Sequence, residues 1–224
     1  NIIIFKGLDK MLKILGRTSS INVRKVLWTA HELNLEFIHE DQWGNTESLK
    51  QLNYLKLNPN ALIPVLIHDQ GALWESNTIC RYLAATTQHE NILPTDPLAR
   101  AEVEKWMDWQ SAELNPAWRA AFMALIRRDP FYLQHYELVE SSIVLWNEKM
   151  LILDSVLAQN KTTKNHYDYL CGEYFTLADI VVTLSIQRWL LTPLNRPNTP
   201  FLIDYYHRMI NRPAALKCID PSTA

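Results

Sequence analysis

Residues 62–77 read LIPVLIHDQGALWESN. Pro64 opens an apolar, β-branched run at 63–67. A proline nitrogen cannot donate to a sheet, so this strand begins at an edge or a bend. Asp69-Gln70-Gly71 is a turn sequence, and 72–74 is a second short apolar run. Together they predict a β-hairpin. Glu75-Ser76-Asn77 then leads into Ile79, Tyr82 and Leu83, which have helical spacing. The Ile63–Pro64 bond admits two readings. One is an ordinary trans proline at an edge. The other is a cis turn, since an X–Pro bond prefers trans by only about 0.5–1 kcal/mol. In the cis case Ile63 offers its backbone N–H and C=O to a peptide-like ligand, as a strand edge does.

Upstream, residues 12–15 form a brief apolar run, a first strand. Residues 22–33 carry apolar side chains at Val23, Val26, Leu27, Ala30 and Leu33, a helical period. Phe37 and Ile38 suggest a second strand, and 46–57 a second helix. The order is strand, helix, strand, helix, strand, strand, helix. Helices between the early strands imply parallel crossovers, and the hairpin adds an antiparallel pair. The expected product is a mixed four-stranded sheet with helices on its faces.

Downstream, the polar stretch 88–97, with Pro94 and Pro97, reads as a linker. No strand-like alternation follows it. Helical patterns cover 98–128, 132–157, 177–192 and 201–211, with a kink expected at Pro116. The first domain is thus assigned to 11–88, the linker to 89–97 and an all-helical domain to 98–224. Residues 1–10 read as an appendage, with a natural start at Met11. The fold class is α/β plus all-α.

A chain of 224 residues can bury a real core in two small domains. The formal net charge of −2 provides no positive field for nucleic acid or anionic lipid. No apolar run is long enough for a membrane span. The three cysteines, Cys80, Cys171 and Cys218, are widely spaced and lack a CxxC. That argues against a disulfide scaffold or a zinc site and fits a reducing cytosol. Cys80 and Cys171 read as buried structural thiols. The seven histidines show no metal-ligand spacing, so no metal is expected.

Chemistry concentrates where strands meet helices. Ser19-Ser20-Ile21-Asn22 sits between the first strand and first helix. Its side chains either cap the helix or combine with the helix N-terminus to hold an anion or thiolate. Ser76 has the same two readings at the next helix start, where the candidate ligand is a carboxylate.

Four segments in this order resemble the motifs of cytosolic glutathione transferases: LGRTSSINVRKVLW (15–28), LNPNALIPVL (57–66), LWESNTICRYL (73–83) and FTLADI (175–180). The resemblance covers 11–212 and implies an N-terminal thioredoxin-like domain followed by a helical bundle. It further implies a cytoplasmic homodimer that conjugates glutathione to hydrophobic electrophiles in detoxification. Ser20 matches the catalytic serine of the theta- and delta-like classes. Its implied role is a hydrogen bond to the glutathione thiolate. Asn22 stands where those classes have proline or cysteine, and in some bacterial relatives an asparagine here also points at the thiol. Ile63, before a cis Pro64, would pair with the cysteinyl unit, and Glu75 and Ser76 would hold the γ-glutamyl end. Asp179, three residues after Thr176, matches a capping box and is a folding element.

The chain also departs from the family. Ile21 stands where the zeta-like isomerases have cysteine, and no cysteine precedes Cys80. Leu62 replaces a common lysine, so the partner of the glycyl carboxylate is open, with Trp43, Asn45 and Lys50 nearby. Ser19 is the reserve for Ser20. The electrophile is expected between the domains, with Trp118, Phe122 and Met123 as candidate lining; core packing is the alternative for each. Two further activities fit the same site: glutathione-dependent reduction of disulfides or peroxides, and non-enzymatic carriage of apolar ligands.

Overall fold

A computed structural model describes residues 11–87, 89–162, 166–220 and 222–223. The appendage and start site expected at residues 1–10 lie outside this set. The chain divides into two compact units, Asn1–Gln88 and His89–Ala224.

The first unit contains β1 (Leu12–Leu15), α1 (Ile21–Glu32), β2 (Phe37–Glu40), α2 (Thr46–Leu49), α3 (Leu52–Leu55), β3 (Val65–His68), β4 (Gly71–Trp74) and α4 (Ser76–Thr87). The sheet order is β2-β1-β3-β4. β1 and β2 are parallel, while β3 runs antiparallel to both β1 and β4. β1 alternates little because it is central and covered: Leu12, Ile14 and Leu15 are all buried. α1 and α4 pack against each other, burying Val23, Val26, Leu27, Ile79, Cys80 and Leu83. Each such aliphatic side chain contributes about 1.5–3 kcal/mol when fully buried. This is the mixed sheet with helices that the order of elements predicts.

Two local expectations need correction. The helix expected over 46–57 is two single turns, α2 and α3. Gln51 between them is extended, with φ −65° and ψ 140°, so the intrahelical bonds cannot continue through it. Asn45 caps the first turn by accepting from the Ser48 N–H at 2.7 Å. The strand expected from Ile63 begins at Val65, and the Ile63–Pro64 bond is cis.

The second unit contains α5 (Pro97–Trp109), a π-helical turn (Gln110–Leu114), α6 (Asn115–Leu125), α7 (Pro130–Gln134), α8 (Tyr136–Thr162), α9 (Leu177–Leu191), α10 (Pro200–Ile210) and a 3-10 turn (Ala215–Lys217). In place of the kink expected at Pro116, the irregular backbone is the π-helical turn of Gln110–Leu114, which ends two residues before that proline. It leaves Pro116 in the first turn of α6, where a missing N–H is tolerated. The helix expected over 132–157 is interrupted at His135, whose ψ of 66° is non-helical. Asp129 and Pro130 start the short α7, with Asp129 accepting from the Phe131 N–H at 2.9 Å.

α9 is buried from Leu177 to Trp189, as befits a helix apolar on all sides. α5 and α10 pack on it. Thr176 and Asp179 form the expected capping box. The buried Asp179 carboxylate also accepts from the Leu170 N–H at 2.8 Å and the Tyr205 hydroxyl at 2.7 Å. In the stretch read as a linker, Ile92 and Leu93 are buried. The Ile92 carbonyl accepts from the Leu177 N–H at 3.0 Å. Among the described residues no helix is long and apolar enough to cross a membrane.

Candidate functional site

The sheet register brings the chemistry-bearing segments to one end of the first unit. Leu15, the last residue of β1, pairs with Glu40 at the end of β2 and with Val65 at the start of β3. Val65 in turn pairs with Trp74 at the end of β4. The Ser20 turn, the Asp41–Gly44 segment, Ile63-Pro64 and Glu75-Ser76 therefore all adjoin one sheet edge. It is the edge where the carboxyl ends of the parallel strands lie, the usual ligand crevice of an α/β sheet.

Gly16 leaves β1 with φ 141°, and a Cβ there would lie 2.5 Å from Val23 Cγ2 and 3.0 Å from Ile63 Cβ. Only glycine permits so close an approach at that φ. The Arg17 N–H donates to the Trp43 carbonyl at 2.7 Å, and the Ser20 N–H donates to the Arg17 carbonyl at 3.0 Å. Thr18 donates its N–H at 2.6 Å, and also its hydroxyl, to Asp41 Oδ1. Those bonds, the hydroxyl's first, hold the Asp41 carboxyl below its ordinary pKa.

Ser20 is the N-cap residue of α1, in extended conformation, yet its side chain makes no capping bond. Of the two readings of Ser20, the local one is thus unfilled. Its hydroxyl has no partner among the described residues, and α1 has no acidic residue in its first turn. Asn22 is half-buried in that turn, and Ser19 is exposed.

Ile63 packs on the cluster of Leu15, Leu49, Tyr54 and Val65. Among the described residues its own N–H and C=O have no hydrogen-bond partner. The preceding Leu62 carbonyl accepts from the Tyr54 hydroxyl and from Asn58 Nδ2, both at 2.8 Å. Burial pushes the Tyr54 phenol up to about 12, so it remains a donor.

Glu75 is exposed with φ 72°, and its carbonyl accepts the first helical bond of α4 from the Ile79 N–H at 2.9 Å. Ser76 is buried at the start of α4. Behind it, buried Lys25 of α1 donates to Asn77 Oδ1 at 3.2 Å. Cys80, as expected, is fully buried, and burial raises its thiol to about 11. Cys171 is only half-buried, although desolvation still raises it to about 12.

Of the three residues considered for the glycyl carboxylate, two have side chains that are already engaged. Trp43 Nε1 donates to Glu40 Oε2 at 2.9 Å, and Asn45 caps α2. Lys50 is exposed. In the second unit, Phe122 is 3% exposed while Trp118 and Met123 are half-buried. The Arg188 guanidinium lies over both rings, 4.6 Å from Trp118 and 4.2 Å from Phe122. Sequence reading missed Arg188, Asp41, Tyr54 and Asn58. The LNP of 57–59 is the one sequence signal beside Tyr54 and Asn58, and as part of a motif it assigns Asn58 no task. Among the described residues no group of acidic, histidine or cysteine side chains could hold a metal.

Residues 19–86 match the family model described as glutathione S-transferase, N-terminal domain. The chain is 32% identical to glutathione S-transferase GstB of Escherichia coli strain K12, over 93% of this chain and 98% of that protein. It is 29% identical to elongation factor 1-gamma 3 of Oryza sativa subsp. japonica, over 77% of this chain but 40% of that one. Its fold is similar to the theta class glutathione S-transferase from Xanthomonas axonopodis pv. citri with glutathione bound. There the TM-score is 0.82 and the identity 32%, over 93% of this chain and 96% of that chain.

Proposed function

Because the chain belongs to the glutathione S-transferase family, we propose that it conjugates glutathione, through its thiolate sulfur, to hydrophobic electrophiles. One observation carries the reading. The register adjoins Ser20, Ile63-Pro64 and Glu75-Ser76 at a single sheet edge, which suits one extended tripeptide.

The γ-glutamyl carboxylate binds at Ser76 and the N-terminus of α4, with Glu75 taking the ammonium. The cysteinyl unit pairs with the backbone of Ile63. The sulfur then reaches Ser20, whose hydroxyl donates to the thiolate, with Asn22 beside it. The thiol proton leaves to solvent, the sulfur pair forms the bond to the electrophilic carbon, and the leaving group departs with its electrons. Ser20 is a donor throughout and the nucleophile is glutathione.

The energies suffice. A free thiol has a pKa of about 8.5, and lowering it by roughly two units needs about 2.7 kcal/mol. A hydrogen bond to a charged group contributes about 1.5–3 kcal/mol, and a helix N-terminus about 0.3–1. No cationic side chain is required. Trp118 and Met123, half-buried, are the better candidates to touch an electrophile; Phe122 serves the packing around Arg188. The protein works as a homodimer in the cytosol, and sedimentation at micromolar concentration tests the dimer.

Titration with glutathione, followed by thiolate ultraviolet absorbance, tests the site. Absorbance growing to saturation near neutral pH, together with turnover of a model electrophile, is the expected result. Binding of apolar ligands with no thiolate signal would instead favour a carrier. Turnover confined to glutathione-capped disulfides or hydroperoxides would favour a reductase.

A further inference from the structure

We propose that Tyr54 and Asn58 are positioning residues, which aim the Ile63 N–H at glutathione by gripping the carbonyl of Leu62. The inference rests on the reading of Ile63 as the partner of the cysteinyl unit.

The geometry follows from one peptide plane. Among the described residues the cis bond is Ile63–Pro64, so the Leu62–Ile63 bond is trans. In a trans peptide the C=O and N–H of one unit point in opposite directions. The Leu62 carbonyl is taken by two donors, Tyr54 Oη and Asn58 Nδ2, each at 2.8 Å. The Ile63 N–H must therefore point away from both, and it has no partner among the described residues.

Both donors are themselves held. Tyr54 is 0% exposed and Asn58 2%. The Tyr54 ring packs on Trp43 at 4.9 Å between centroids. Asn58 Oδ1 accepts from the Asn60 N–H at 3.0 Å and from Asn60 Nδ2 at 3.1 Å, which keeps Nδ2 turned to Leu62. The Leu62 side chain is 59% exposed, so the feature fixed at this position is its carbonyl. A ligand amide meeting Ile63 thus finds a donor already oriented, and less ordering entropy opposes binding.

A solely structural role for these bonds predicts different behaviour from an aiming role. Tyr54→Phe keeps the ring and removes the donor. The expected result is a glutathione Kd, and KM, raised roughly fivefold, the equivalent of one neutral hydrogen bond. The kcat at saturating glutathione and the pH at which the bound thiol ionises stay unchanged. S-methylglutathione weakens by the same factor, because its sulfur plays no part. An analogue with a thioamide in place of the cysteinyl carbonyl loses less between wild type and variant, the non-additivity of a shared contact. Unchanged glutathione affinity in folded Tyr54→Phe, or a change confined to kcat or thiol ionisation, overturns the proposal.

A ligand-free measurement separates this inference from the site it rests on. The NMR order parameter of the Ile63 amide is expected to fall in Tyr54→Phe, and in Asn58→Ala should the first variant fold poorly. No change in either refutes the grip. Wild-type protein that does not bind glutathione sinks the site reading, and the order parameter still decides whether the two side chains hold the plane.

Discussion

The amide nitrogen of Thr18 lies 2.6 Å from Oδ1 of Asp41, 23 residues further along the chain. This bond, with that of the Thr18 hydroxyl, ties the Ser20 turn to the segment after β2. The bonds favour ionised Asp41, so they stabilise the fold above the ordinary carboxyl pKa of 3.8 and lose effect as pH falls through the lowered value. The carboxylate is 63% exposed and faces His39 at 3.8 Å, so the contribution is under about 1 kcal/mol. Asp41→Ala is expected to be slightly less stable than wild type in urea at pH 7. The two should converge on acidification below that value. A gap that widens in acid would contradict the sign.

Ser20→Ala should leave the affinity for glutathione with a protonated thiol nearly intact and move ionisation of the bound thiol upward by about one to two pH units, the equivalent of a charge-assisted hydrogen bond. Overall affinity therefore falls only where the wild-type-bound thiol is ionised. Absorbance of the bound thiolate against pH measures this directly. An unshifted titration would transfer the role to Ser19 or Asn22, and the corresponding single variants would show which.

Cys80 should resist alkylation in the native state. With its thiol raised to about 11 by burial, roughly a thousandth is thiolate at pH 8. The linkage has a definite sign. Stability from the neutral thiol is complete below its ordinary value of 9.0 and is lost as pH rises toward 11. Cys80→Ala should therefore show a shallower fall of stability between those values. Mass spectrometry after iodoacetamide, with and without denaturant, reads the reactivity.

Asp179→Ala should destabilise the second unit by about 3–5 kcal/mol, because it strips the acceptor from several buried donors at once. Its carboxylate serves Thr176 and Leu170 backbone N–H groups and the Tyr205 hydroxyl. Tyr205→Phe removes one donor and should cost about 1 kcal/mol. Urea midpoints followed by tryptophan fluorescence compare the two, and equal effects would argue against the shared-acceptor account.

Elements with a strong local signal were legible. The apolar spacing of α1, α4 and α9 and the DQG turn between β3 and β4 each depend on near neighbours in the chain. The breaks inside two of the expected helices have local causes that pattern reading overlooks. Gln51 breaks 46–57 through its backbone dihedral, with no glycine or proline to announce it. His135 does the same between α7 and α8. Ser20, Ile63 and Ser76 stood out because each lies where an element starts or stops. Tyr54 and Asn58 did not, because their task is defined by a carbonyl several residues away with no periodicity to reveal it.

By itself the sequence determined the order of strands and helices and the sheet-then-helix division of the chain. Those follow from torsional preference and from apolar spacing within a few residues. Only the tertiary structure decided that Leu15, Glu40, Val65 and Trp74 lie at one sheet edge, which brings the candidate glutathione residues together. Only it turned the Leu62 carbonyl inward, so that the Ile63 N–H faces out, and laid Arg188 over Trp118 and Phe122. The physical reason is range: register, hydrogen bonds between distant segments and ring stacking are set by residues tens of positions apart, where local preference has no influence.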